Sequence, residues 1–163
     1  MATKFSILIL TIGIPGSGKT TWVKEYKKTH PLTFVISTDA IRKEVTGYEQ
    51  CIHPEDNQKI YEIARQRAHD ILNCPDYYGG NYGFGPEIII DSTNVDVMGW
   101  LEYKNLGASV IAAQIFSKTP EEAFAAIQYR DRKVPLDIIK AKHEELEKNK
   151  KYLRLIFNYI NYT

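Results

Sequence analysis

Chemistry in this chain starts at Gly13-Ile14-Pro15-Gly16-Ser17-Gly18-Lys19-Thr20. A glycine, four residues, then Gly-Lys-Thr is the spacing of a loop that cradles phosphate. Small residues let backbone N–H groups turn inward as an anion nest, and the helix that follows adds partial positive charge at its N-terminus. Lys19 supplies a mobile cation for the β- and γ-phosphates of a nucleoside triphosphate, and the Thr20 hydroxyl is a ligand for Mg²⁺. Gly13, Pro15, Gly16, Ser17, Gly18, Lys19, Thr20 and Thr21 are the expected phosphate-binding set.

Three further segments carry reactive side chains. Moving a phosphoryl group to an alcohol needs a base for the hydroxyl proton, and Asp39, in Ser37-Thr38-Asp39-Ala40-Ile41-Arg42, is the candidate. Arg42 lies three residues on, shares its helix face, and suits an anionic group on the acceptor. Asp91 ends the apolar run Glu87–Asp91, where an acid holds Mg²⁺ directly or through its water shell. Arg130, Arg132 and Lys133 form a cationic cluster of the kind that closes as a lid over a transferring phosphoryl group.

The elements that must position these groups are legible as strands alternating with helices. Phe5–Ile12, 33–37, Glu87–Asp91 and 109–116 are short apolar runs of buried parallel strands. A helix follows the phosphate loop to about Lys28. A second is capped near Ser37 and closed by Gly47, and a third runs from Pro54 to about Asn73. A fourth spans about Val95 to Leu106, with Ser92, Thr93 or Asn94 available as its cap. Thr119-Pro120-Glu121-Glu122 is a capping box opening the fifth. Pro135 opens the C-terminal part, where Ile139, His143, Leu146, Lys150, Leu153, Phe157 and Ile160 keep three-to-four spacing and predict one or two amphipathic helices over about 135–160. Residues 74–86 are rich in glycine and aromatics and read as a long loop, with Tyr77, Tyr78, Tyr82 and Phe84 as possible stacking faces. The expected architecture is a three-layer α/β P-loop NTPase fold: a parallel sheet of four to five strands, helices on both faces, and a short arginine lid at about 130–135. Ligands of such sheets bind at the carboxyl ends of the strands. Gly13, Asp39 and Asp91 all fall there, so three distant segments converge on one rim.

Composition bounds the rest. The 163 residues, 44% hydrophobic and 25% charged, predict a single domain over 1–163. A net charge of +1 projects no global field toward nucleic acid, so any grip on a polyanion is local. Cys51 and Cys74 lack metal-ligand spacing and read as free thiols in a reducing cytoplasm, the host's if the chain is phage-encoded. The first apolar run is far shorter than the ~20 residues of a membrane helix and leads straight into the phosphate loop, so it is expected to be a buried strand with no membrane role. His30, His53, His69 and His143 have no spaced partners and read as surface or structural.

Taken together, Gly-Ile-Pro-Gly-Ser-Gly-Lys-Thr-Thr-Trp, Ser-Thr-Asp-Ala-Ile-Arg-Lys-Glu-Val-Thr-Gly, Asp-Ser-Thr-Asn and Arg-Asp-Arg-Lys-Val-Pro resemble the kinase domain of bacteriophage 5′-hydroxyl polynucleotide kinases. They resemble equally the wider group of small P-loop kinases, over about Ile7 to Ile139. The resemblance implies transfer of the ATP γ-phosphate to a nucleic-acid 5′-OH. Lys19 and Thr20 would then serve in the phosphate loop, Asp39 as general base, Arg42 on the phosphate beside the acceptor nucleoside, Asp91 near the metal, and Val134 against the purine. Two departures stand out. Ala126 occupies the place of a family arginine one turn before Arg130, which leaves open whether Arg130 or Arg132 is the clamp. The 3′-phosphatase domain of some relatives has no counterpart here, so the kinase reaction alone is expected. Other readings are a kinase for a small-molecule alcohol (nucleoside, sugar or antibiotic) and a nucleotide-dependent binding module. Asp39 argues against the last, which needs no acceptor base. The sequence does not fix the oligomeric state.

Overall fold

The computed structural model describes residues 5–50, 53–74 and 84–163. Five strands, β1 (Phe5–Ile12), β2 (Phe34–Ser37), β3 (Phe84–Asp91), β4 (Val110–Ile115) and β5 (Tyr159–Tyr162), form one sheet in the order β2-β3-β1-β4-β5. Every pairing is parallel. Because successive side chains of a strand face opposite ways, β1 divides its apolar residues between two cores. Leu8, Leu10 and Ile12 join Ile41, Ile60, Ile88, Ile90 and Trp100 on one face, while Ile9 packs with Val23, Ile89 and Ala112 on the other. This two-sided burial explains the nearly continuous apolar run of the first strand.

Register places the functional ends. Leu10 pairs with Ile90 and Ser37 with Asp91, so the chain leaves β1, β2 and β3 on one edge of the sheet. A polar knot fixes β1 against β3 just there. The Thr11 hydroxyl lies 3.1 Å from both the Ile90 and Ser92 carbonyls, and Asn94 Nδ2 donates to the Thr11 carbonyl at 2.9 Å and to that of Ile90 at 3.2 Å.

The helices are α1 (Lys19–Thr29), α2 (Thr38–Thr46), α3 (Asp56–Asn73), α4 (Val97–Lys104), α5 (Pro120–Ile127), α6 (Leu136–Asn149) and the single turn α7 (Leu153–Ile156). Ser37 Oγ caps α2 by accepting from the Ala40 N–H, and Gly47 ends it in the left-handed region. The capping box of Thr119 and Glu122 is complete, with Pro120 at its start. The cap of α4 is Asp96, whose Oδ2 accepts from the Gly99 N–H at 2.9 Å, and not Ser92, Thr93 or Asn94. Asn94, at φ 48°, is occupied in the knot instead.

The C-terminal segment departs from its apolar spacing. Helical structure stops at Ile156, Phe157 is extended, and Tyr159–Tyr162 becomes β5 rather than a further helical turn. The open edge of β4 outcompetes local periodicity: Asn158 N–H donates to the Ile111 carbonyl, and Asn158 Oδ1 accepts from the Ile111 N–H, each at 2.9 Å. Strand β3 also begins earlier than the sequence indicates, at Phe84 rather than Glu87. Residues 75–83, and with them the stacking role considered for Tyr77, Tyr78 and Tyr82, lie outside the described residues, as does Cys51. Among the described residues no helix is long and apolar enough to cross a membrane.

Candidate phosphoryl-transfer site

The edge shared by β1, β2 and β3 opens into a cleft of about 1090 Å³. It is lined by Pro15, Gly16, Gly18, Lys19 and Thr20 of the phosphate loop and α1, by Asp39 and Arg42 of α2, by Asp91 of β3, and by Arg130, Arg132 and Val134 of the segment between α5 and α6. Of the expected phosphate-binding set, Gly13 and Ser17 are buried within the loop, and Thr21 is exposed on α1 outside the cleft lining.

The loop is held by backbone and core. Gly16 sits at φ 85°, and a Cβ there would lie 2.4 Å from the Ala123 carbonyl oxygen and 2.8 Å from Ile127 Cγ2. At Gly13 a Cβ would meet Ser17 Oγ at 2.7 Å and Phe116 Cβ at 2.9 Å. Only glycine permits either approach. Ile14 packs with Ala123, Ile127 and Ile139, so the phosphate loop, the end of α5 and the start of α6 share one small core. No side chain caps the start of α1, which leaves its partial positive charge available to an anion.

Lys19 Nζ donates to the Gly13 and Ile14 carbonyls at 2.8 Å each. Burial lowers its pKa to about 8, against the raising influence of Asp91 and Asp39, while Arg130 and Arg132 add to the lowering. An anionic phosphate would supply the missing counter-charge.

Thr20 Oγ1 donates to Asp91 Oδ2 at 3.0 Å. Burial raises the Asp91 pKa; the Thr20 bond and Lys19 oppose that shift, and Asp39 reinforces it. A hydroxyl and a desolvated carboxylate side by side are hard oxygen donors suited to Mg²⁺, which takes one or two protein ligands and completes its shell with water and substrate phosphate. Among the described residues no group of three or more His, Cys, Asp or Glu could hold a metal ion.

Asp39 stands in the first turn of α2, two residues past the end of β2. Its Oδ1 accepts from Arg42 Nη1 at 2.6 Å, and its Oδ2 pairs with Arg132 Nη1. The Arg42 guanidinium is buried and also donates from Nη1 to the Glu49 carbonyl at 3.3 Å and from Nη2 to Asn57 Oδ1 at 3.2 Å. Its Nε is buried with no hydrogen-bond partner among the described residues. Arg130 makes no ion pair with a described residue, and it weighs more than Arg132 on Lys19. Val134 is half-buried against the Ile14 core. Sequence reasoning missed Asn57 and Tyr61, which stand one turn apart on α3 and line the same cleft. No motif marks them; only the packing of α3 beside α2 brings them in.

With this geometry in place, comparison with known proteins becomes specific. Residues 8–154 match the AAA domain family AAA_33. The chain belongs to that family. Among solved structures, this AAA_33 domain is similar to a chain of the Pnkp1/Rnl/Hen1 RNA repair complex, with a TM-score of 0.74 and 18% identity over 90% of this chain and 46% of that one. It is similar to a gluconokinase from Sinorhizobium meliloti 1021, with a TM-score of 0.61 and 14% identity over 99% of this chain and 83% of that one. The PezAT toxin–antitoxin system of Streptococcus pneumoniae gives a TM-score of 0.66 and 21% identity over 99% of this chain and 70% of its counterpart. At these identities the likeness is one of fold: a three-layer, kinase-type P-loop domain, a class whose loop binds nucleotide phosphates. A stretch of 98 residues is 24% identical to the lysine-specific demethylase JMJ17 of Arabidopsis thaliana, covering 60% of this chain and 8% of that much longer protein.

Proposed function

We propose that this AAA_33 domain transfers the γ-phosphoryl group of ATP, with Mg²⁺, to a hydroxyl acceptor, and that the acceptor is the 5′-OH end of a polynucleotide. The observation that carries the reading is Asp39: its carboxylate lines the same cleft as Lys19, Thr20 and Asp91 and acts electrostatically on both Lys19 and Asp91. A domain that only bound nucleotide would need no acceptor base in that cleft.

In this mechanism the loop N–H groups and Lys19 hold the β- and γ-phosphates, and Arg130 and Arg132 offset charge on the transferring group. Thr20 and Asp91 would hold Mg²⁺, which supplies charge neutralisation between the phosphates. Asp39 takes the proton of the acceptor hydroxyl as its oxygen bonds to the γ-phosphorus; the bond from that phosphorus to the bridging oxygen breaks, and ADP leaves. Arg42 binds the phosphate neighbouring the acceptor sugar, and Val134 packs against the purine. Arg42 favours an acceptor that already carries phosphate. The complementary observation is that the gluconokinase likeness spans most of both chains, which supports a small-molecule alcohol as the second reading.

Incubation with γ-labelled ATP, Mg²⁺ and a panel of 5′-OH oligonucleotides, nucleosides and sugars tests both readings. Label on the oligonucleotides alone is the expected result. Label on a sugar or nucleoside alone transfers the assignment to the second reading, and label on no acceptor removes the phosphotransferase reading.

A further inference from the structure

The pairing of Asp39 with Arg132 joins the two ends of the cleft. Asp39 belongs to α2, beside β2; Arg132 belongs to the segment 128–135 between α5 and α6. That segment is anchored at both ends in the core under the phosphate loop, through Ile127 and Ile139, both essentially fully buried. Between the anchors Tyr129, Arg130, Asp131 and Lys133 are exposed, while the Arg132 side chain is only 29% exposed because it reaches down to Asp39. Arg42 holds the other oxygen of the same carboxylate. Both oxygens that an acceptor hydroxyl would approach are therefore engaged by guanidinium groups.

We infer that Arg132 is a positioning residue that couples the two substrates: it occupies Asp39 until a nucleotide polyphosphate draws it away, and so opens the base to the acceptor only when nucleotide is bound. This rests on the reading of the cleft as a nucleotide site with Asp39 as its base. The exchange is chemically favourable because a phosphate offers a guanidinium more charge and a bidentate partner, whereas Asp39 is half-exposed and its ion pair is partly screened by water. Arg132 also lies near enough to Lys19 to act on it electrostatically, which puts it close to where the phosphates would sit. Arg130, without an ion pair among the described residues, faces the phosphates from the outset. The two lid arginines thus have different tasks.

The consequence is measurable without any acceptor. Asp39 and nucleotide compete for Arg132, so removing the carboxylate charge should tighten nucleotide binding through Arg132. The experiment is a double-mutant cycle by titration calorimetry, using a non-hydrolysable ATP analogue and Mg²⁺ with the unsubstituted protein, Asp39→Asn, Arg132→Gln and the double variant. Asp39→Asn should lower the analogue's Kd about fivefold when Arg132 is present, the worth of a partly exposed ion pair, and less than about twofold in the Arg132→Gln background. An equal gain in both backgrounds means that Asp39 acts on nucleotide only as a distant charge, and overturns the coupling. No gain, or weaker binding, overturns it as well. Failure of the unsubstituted protein to bind the analogue overturns the nucleotide site itself and the coupling with it, whereas a null result in the labelled-acceptor panel leaves this cycle intact.

Discussion

On the phosphate side of the cleft, position is set by backbone and core. Gly16 presses against the Ala123 carbonyl, Ile14 packs on Ile127 and Ile139, and the buried cation Lys19 is held by two carbonyls of its own loop. On the acceptor side, position is set by charge on charge: Asp39 lies between Arg42 and Arg132, and Arg42 is steadied by Asn57 and the Glu49 carbonyl. Core contacts hold one geometry; ion pairs at a half-exposed carboxylate can be exchanged for a ligand's. On the proposed reading, the fixed task of gripping a triphosphate belongs to the first side and the conditional task of admitting an acceptor to the second.

Substitutions on each side should therefore fail differently. Lys19→Ala removes the buried cation at the γ-phosphate and should lower turnover ~10³-fold or more, read as label transferred from γ-labelled ATP. Asp39→Asn should lower turnover by ~10²–10⁴ while nucleotide still binds; an unchanged rate removes Asp39 from the chemistry. Arg42→Ala should raise KM roughly tenfold or more for an acceptor carrying a neighbouring 3′-phosphate, the worth of a charge-assisted hydrogen bond, and much less for one lacking it. Equal effects on both acceptors count against a polynucleotide. Gly16→Ala should act on the fold itself: a left-handed backbone position costs about 1–3 kcal/mol, with the clash at Ala123 in addition. That should lower Tm by ~2–4 °C per kcal/mol and weaken nucleotide binding at the same time.

The smallest effect concerns protons. Burial holds the Lys19 pKa near 8, below its ordinary 10.5, so above pH 8 the unbound site is increasingly neutral. A bound polyphosphate raises that pKa, and nucleotide binding near pH 9 should take up a fraction of a proton and weaken as pH climbs. At pH 6 the same titration should show no uptake from Lys19. Calorimetry in buffers of different ionisation enthalpy reads this directly. The sign for stability is the reverse of a paired lysine's: the cost of burying the charge is present in full below pH 8. It is relieved between pH 8 and 10.5, where the unfolded chain binds more protons than the folded one.

What the sequence revealed follows the same division. The phosphate loop, the strand that leads to Asp39, the strand that ends in Asp91, and the capping box at Thr119 were legible because each is written in adjacent residues: an apolar run, a glycine spacing, a cap three residues from its partner. The pairing of Asp39 with Arg132 was not, since it joins residues 93 positions apart and only the fold brings them together. Asn57 was missed for the same reason. Strand β5 is hidden in the sequence because Leu153, Phe157 and Ile160 keep helical spacing, and nothing local announces the free edge of β4 that captures Tyr159–Tyr162.

The knot of Thr11 and Asn94 has a consequence beyond joining two strands. Through Ser92 it also reaches α2, whose Thr38 Oγ1 donates to Ser92 Oγ at 3.0 Å, and the next carbonyl, that of Thr93, accepts from the Gly13 N–H of the phosphate loop at 3.1 Å. One short segment after β3 thus ties the sheet, the phosphate loop and α2 together where the strands end. A change at Ser92, Thr93 or Asn94 would be felt by the loop and the helix at once.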